Sequence, residues 1–126
     1  MKALFDHERL EVYRLAREFA RLVHVLLEGL ARGHSDSKDN LKRAAKSIMR
    51  NIAEGAGKWQ VADKIHYYHI ARASATECAA SLDELVDFGL VAEERIQEPK
   101  EILGRVVAML IAMIKSLESR DAPTMG

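Results

Sequence analysis

Cysteine, proline, aromatic residues and net charge are all scarce in this sequence, and each scarcity excludes something. A single cysteine, Cys78, cannot form an intramolecular disulfide, so a stapled extracellular scaffold is not expected. Two prolines and seven glycines supply too few turn residues for an all-β fold. The longest unbroken apolar run, Val106 to Ile114, is nine residues, whereas a membrane span needs about 20. The opening residues, MKALFDHERLEVYR, hold no apolar stretch of signal-peptide length. A cytoplasmic protein with no membrane partner is the expectation. Nineteen Lys and Arg balance 19 Asp and Glu, which removes the uniform basic field of a dedicated nucleic-acid binder.

What is present points to helix. Hydrophobic residues make up 48% and charged residues 30% of 126 residues, the balance of one globular domain. Apolar residues recur at steps of three and four, which predicts four helices over about 7–30, 37–54, 62–88 and 93–119, then a tail over 120–126. In the first, Val12, Leu15, Phe19, Leu22 and Leu26 make one stripe, and Asp6 is placed to cap it. In the second, the seam is Leu41, Ala45, Ile48 and Ile52, with Gly55 and Gly57 suited to a left-handed C-terminus. Trp59 is expected to lid the bundle end. Small residues (Ala71, Ala75, Cys78, Ala79) fill the middle of the third helix's inner face. Its last turns carry Asp83, Glu84 and Asp87, unfavourable against the helix dipole and suggesting an external cation. Pro99 either kinks the fourth helix or starts it as its first residue. Helices of this length joined by short loops pack as an antiparallel up-down-up-down four-helix bundle.

Most chemistry-bearing patterns read as ordinary structure. Gly55-Ala56-Gly57-Lys58 lacks the spacing and the preceding strand of a phosphate loop. His66 and His69 have no Glu-x-x-His partner motif, so no metal is expected, and no cofactor either. Cys78 among Ala75, Ala79 and Leu82 reads as a buried, inert thiol, and no catalytic residues are assigned. Charge is more informative. Residues 1–60 hold 12 Lys and Arg against 8 Asp and Glu, whereas residues 61–126 hold 7 against 11. Arg14, Arg17 and Arg21 on the first helix, with Lys42, Arg43, Lys46 and Arg50 on the second, form a candidate phosphate-binding surface. No aromatic residue interleaves them in sequence, so base stacking is not expected. The fourth helix is apolar around half its circumference, more than a bundle helix needs for its own core. Val107, Ile111 and Ile114 at one edge, with Ile70 on a polar side of the third helix, are candidate oligomer contacts.

A more specific signal lies in Ala44-Ala45-Lys46-Ser47-Ile48-Met49-Arg50-Asn51-Ile52-Ala53-Glu54-Gly55, followed by Ile70-Ala71-Arg72-Ala73-Ser74-Ala75-Thr76-Glu77. With Leu10-Glu11-Val12-Tyr13, these segments resemble the four-helix-bundle family named for 23S rRNA intervening-sequence proteins, over about residues 5–118. The family is similar to the accessory protein of diversity-generating retroelements, which is strongly basic and associates with nucleic acid and a reverse transcriptase. The resemblance implies a ring-shaped homopentamer and recurrent polar positions at Asn51, Glu54, Ser74 and Glu77. These four read either as a paired buried network that fixes helix register or as a shared binding surface. The expectation is a non-enzymatic homo-oligomeric scaffold with weak binding to RNA, DNA or a nucleic-acid-handling protein. The alternative is a protein-interaction module with no nucleic-acid role.

Overall fold

The structure is a computed structural model that describes residues 3–121. Four helices dominate it: α1 (Glu11–Glu28), α2 (Ser35–Gly57), α3 (Val61–Asp87) and α4 (Gln97–Asp121). They form an all-α, antiparallel up-down-up-down bundle in which each helix packs on the next and α1 closes against α4. Connections this short leave the chain no room to cross the bundle, so consecutive helices must be antiparallel neighbours. His34, before α2, stacks on Phe88, after α3, with ring centroids 5.4 Å apart, which joins the two loops at one end.

The core follows the predicted stripes. Phe19, Leu41, Ile48, Ile52, Leu82, Leu85, Val106 and Leu110 are fully buried, each contributing roughly 1.5–3 kcal/mol by leaving water. Ala71, Ala75 and Cys78 are also sealed, and their small size brings the helices packed on α3 close to it. The C-terminus of α3 is a Schellman motif. Gly89, at φ 74°, donates to the carbonyl of Val86, and Leu90 donates to that of Leu85.

Helix ends differ from expectation in instructive ways. The first segment is broken: a 3-10 turn covers Asp6–Arg9, Leu10 is extended, and α1 begins at Glu11. Asp6 therefore caps nothing in α1. The Glu8 carboxylate instead accepts from the Phe5 N–H at 2.9 Å, which favours the tight turn over a continuous helix. α2 runs three residues beyond its expected end, through Gly55 and Gly57, and neither glycine is left-handed. At the other junction a 3-10 turn (Glu93–Ile96) leads into α4, placing Pro99 in the first turn. An N–H there has no intrahelical partner to lose, so no kink is needed. Arg120 and Asp121 continue α4; the rest of the expected tail, 122–126, lies outside the described residues.

Two placements are reversed. Trp59 lids nothing and is 95% exposed. Ile114, expected at an outer edge, is only 4% exposed and belongs to the core, while Val107 packs partly against it. The bundle itself uses much of the wide apolar arc of α4. Ile70 and Ile111 are half-buried.

Candidate functional site

The seven predicted cations do not form one surface. All are exposed, but α2 turns them toward different neighbours. Lys42 and Lys46 border a hollow of about 200 Å³ with Ala20, Val23 and His24 of α1. Arg17, Arg21 and His24 border an adjoining hollow of about 480 Å³ that reaches Met49 of α2. Arg14 shares a further recess with Arg17 and Arg21. Arg17, Arg21, Lys42 and Lys46 thus border adjoining hollows on the outer α1–α2 face, and Arg14 extends the set along α1 in a recess that also holds Glu11 and Glu18. Among the described residues none of the five lies within ion-pair distance of a carboxylate. Of the nearby acids, Glu28 meets His24 at 3.1 Å and Glu11 meets Arg105 at 3.4 Å, while Glu18 lines the recess of Arg14, Arg17 and Arg21 and tempers its positive charge. The other two cations leave the set. Arg43 points to α3 and pairs with Glu77 at 3.0 Å. Arg50 turns to the opposite end, lining a cleft with Phe5 and His7.

The α2–α3 seam is built differently. The Ser47 and Ser74 hydroxyls hydrogen-bond at 2.7 Å, and Asn51 donates to the Ser47 hydroxyl at 3.0 Å and to its carbonyl at 2.8 Å. One turn farther along, Gly55 lies against Tyr68. A Cβ at Gly55 would stand 2.6 Å from the Tyr68 Cε1, so only glycine admits the ring. Below it, the Lys64 ammonium donates to the Gly55 and Ala56 carbonyls at 3.3 and 2.9 Å. It places a cation on the negative end of α2 and satisfies carbonyls the helix leaves orphaned. Along α2 the partners fall at 43, 47, 51 and 55, one row at four-residue steps facing α3. The row includes Asn51 and Gly55 of the Asn-Ile-Ala-Glu-Gly element and meets Ser74 and Glu77 of the Ser-x-x-Glu element on α3, and the sequence matches the 23S rRNA-intervening sequence protein family over residues 8–112.

The chain belongs to that family. Its fold is shared by a crystal structure of a protein of unknown function from the S23 ribosomal protein family of Bacteroides thetaiotaomicron. The TM-score is 0.74 at 24% identity, covering 82% of this chain and 98% of the other. No curated protein matches the sequence. The family description names no reaction, and the function of the structural neighbour is unknown.

Of the family's four polar positions, Asn51 and Ser74 sit in the half-buried network. Glu54 and Glu77 do not: their side chains are 57% and 46% exposed and pair with Lys58 and Arg43. Ser47 is the hub of the network; its position one turn before Asn51 was the available signal. Nothing local marked Lys64 as a cap, because its contacts are set by the turn between helices. The acidic end of α3 finds a cation within the chain, Lys100 on Asp83 at 2.9 Å. Burial, reinforced by the Glu77 charge, pushes the Cys78 thiol up to about 12, so at neutral pH it stays protonated and unreactive. His66 and His69 are exposed, and among the described residues no three side chains of metal-binding type come together. Among the described residues no helix is long and apolar enough to cross a membrane.

Proposed function

We propose that this protein is a non-enzymatic helical scaffold that holds the phosphate backbone of RNA or DNA on the outer face of α1 and α2. The observation that carries the reading is the set Arg14, Arg17, Arg21, Lys42 and Lys46, exposed on adjacent helices with no ion-paired carboxylate among the described residues. Such cations add little to stability, and each phosphate they neutralise releases condensed counterions. The family's name, which refers to 23S rRNA, points to the same class of partner. The C-terminal half is acidic and repels phosphate, so the contact is one-sided. Self-association, as a homopentamer by the family resemblance, would repeat the face in every subunit and make a modest patch multivalent. Half-buried Ile70, Val107 and Ile111 remain for a second copy to cover. A cytoplasmic location fits this role.

A mobility shift across a salt series tests it. The wild type should retard RNA and DNA at low salt and lose both steeply as salt rises. Replacing Arg17, Lys42 and Lys46 by Gln should flatten the logarithmic salt slope by up to about 3, at roughly 0.9 per phosphate. A wild type that retards neither nucleic acid at low salt would leave the protein-interaction module as the reading. Light scattering of the same preparation reads assembly, and a monomer at micromolar concentration removes the oligomer from the proposal.

A further inference from the structure

We propose that the end of the bundle beside Trp59 receives unpaired bases of a single-stranded nucleic acid, stacked on its exposed aromatic rings. This rests on the nucleic-acid reading above and adds a base-binding end to a phosphate-binding face. Trp59 is the chain's one tryptophan and stands 95% exposed between α2 and α3. Its short connection is held from both sides. The Lys58 N–H donates to the Gly55 carbonyl, and Lys64 reaches the Gly55 and Ala56 carbonyls. The ring is therefore presented to solvent from a fixed backbone. Next to it in the chain, Lys58 lines an open surface cleft of about 610 Å³ between the N-terminal 3-10 turn and the end of α2, so Trp59 stands at the margin of the cleft and not in its wall. Phe5, 64% exposed, lines that cleft and stacks on His7, with ring centroids 5.9 Å apart.

The charges on the same walls select the ligand. Arg50 and Lys58 are cations beside aromatic plates, the combination that holds single strands by backbone and base together. Asp6 and Glu54, also on the walls, repel phosphate but accept hydrogen bonds from base N–H groups, so bases and not backbone enter. Arg50 also continues the row Lys42–Lys46 at four-residue steps, about 6 Å each along the helix. Arg50 itself faces the cleft and not the α1–α2 hollows, so a strand reaches the cleft only by passing from that face around the end of α2. Glu54 and Lys58 already pair with each other at 3.8 Å, but an apolar protein segment matching Phe5 and Trp59 would still leave Arg50 and Asp6 without partners.

Trp59 is its own reporter. The full-length protein is titrated at low salt with an oligouridine strand and, separately, with a duplex of equal length. Tryptophan emission is followed, and affinity is read independently from the anisotropy of labelled nucleic acid. The strand should quench emission strongly, and the duplex should bind with little quenching. Trp59→Ala should weaken the strand about fivefold or more while leaving the duplex unchanged, and Trp59→Phe should restore most of the loss. Circular dichroism confirms that both variants fold. A strand that binds without quenching, or Trp59→Ala binding it like the wild type, overturns the proposal and leaves the cation face standing. Emission that shifts with protein concentration alone makes this end a contact between copies and likewise overturns it. If neither strand nor duplex binds, the cation-face reading fails and takes this one with it.

Discussion

The two flanks of α2 are made from similar residues and end in opposite states. Toward α3, Arg43 has Glu77, Ser47 has Ser74 and Asn51, and the helix end has Lys64. No buried side-chain polar atom among the described residues lacks a hydrogen-bond partner. Toward α1, Lys42 and Lys46 border one hollow and Arg17 and Arg21 an adjoining one, the two sharing Ala20 and His24, and none of these four cations is ion-paired among the described residues. A seam whose polar groups are satisfied fixes register and resists change. A face whose charges are unsatisfied contributes nothing to the fold and is available to an anion. The neighbouring helix, not α2 itself, makes the difference.

Substitutions along α2 should separate the two flanks by their effect on stability. The largest loss is expected at Gly55→Ala. The new Cβ would fall 2.6 and 2.8 Å from two ring carbons of Tyr68, itself buried at 4% exposure. Overpacking of this kind costs about 1–3 kcal/mol, which exceeds the roughly 0.5–1 kcal/mol that alanine gains over glycine in a helix. Gly57→Ala is the control. Nothing lies within 4 Å of that position, so thermal melts should show it neutral or slightly stabilised. If both glycines respond alike, the Tyr68 contact is not what holds the seam.

Next comes Ser47→Ala, which strips Ser74 of its partner and Asn51 of one of its two acceptors. A loss of about 1–2 kcal/mol in urea unfolding is expected, because a half-buried hydroxyl is left unpaired. Unchanged stability would make the network incidental to register. Glu77→Gln should cost less than about 1 kcal/mol, since its bridge to Arg43 is exposed and screened. A larger loss would mean that Glu77 belongs to the seam after all. Smallest of all is the triple replacement of Arg17, Lys42 and Lys46 by Gln, for which no loss of melting temperature is expected despite its effect on binding.

These contrasts mark how far the residues could be read in one dimension. Helix number and the core stripes were legible because burial follows the 3.6-residue period, whereas Asn51 and Ser74 came to notice only through the family resemblance. The inert Cys78, surrounded by small apolar neighbours, was legible too. Gly55 was misread as a terminator because its defining contact, Tyr68, lies 13 residues away on the next helix. Arg43 was grouped with Lys42 because helical spacing gives an angle but not which neighbour that angle meets. Trp59 was taken for a lid because a large ring usually finds cover, and no local pattern reveals that it does not.

The order and period of apolar residues by themselves determined four helices, the core they share and the antiparallel order that short loops impose. Those properties are local: each depends on the spacing of residues within one segment. Tertiary structure alone decided which cations are neutralised and which stay free, that Ile114 belongs to the core, and that Phe5 and Arg50 line one cleft. Each of these depends on a distance between segments remote in sequence. Electrostatic pairing and packing fall off within a few ångströms, so such contacts exist only once the helices are placed side by side.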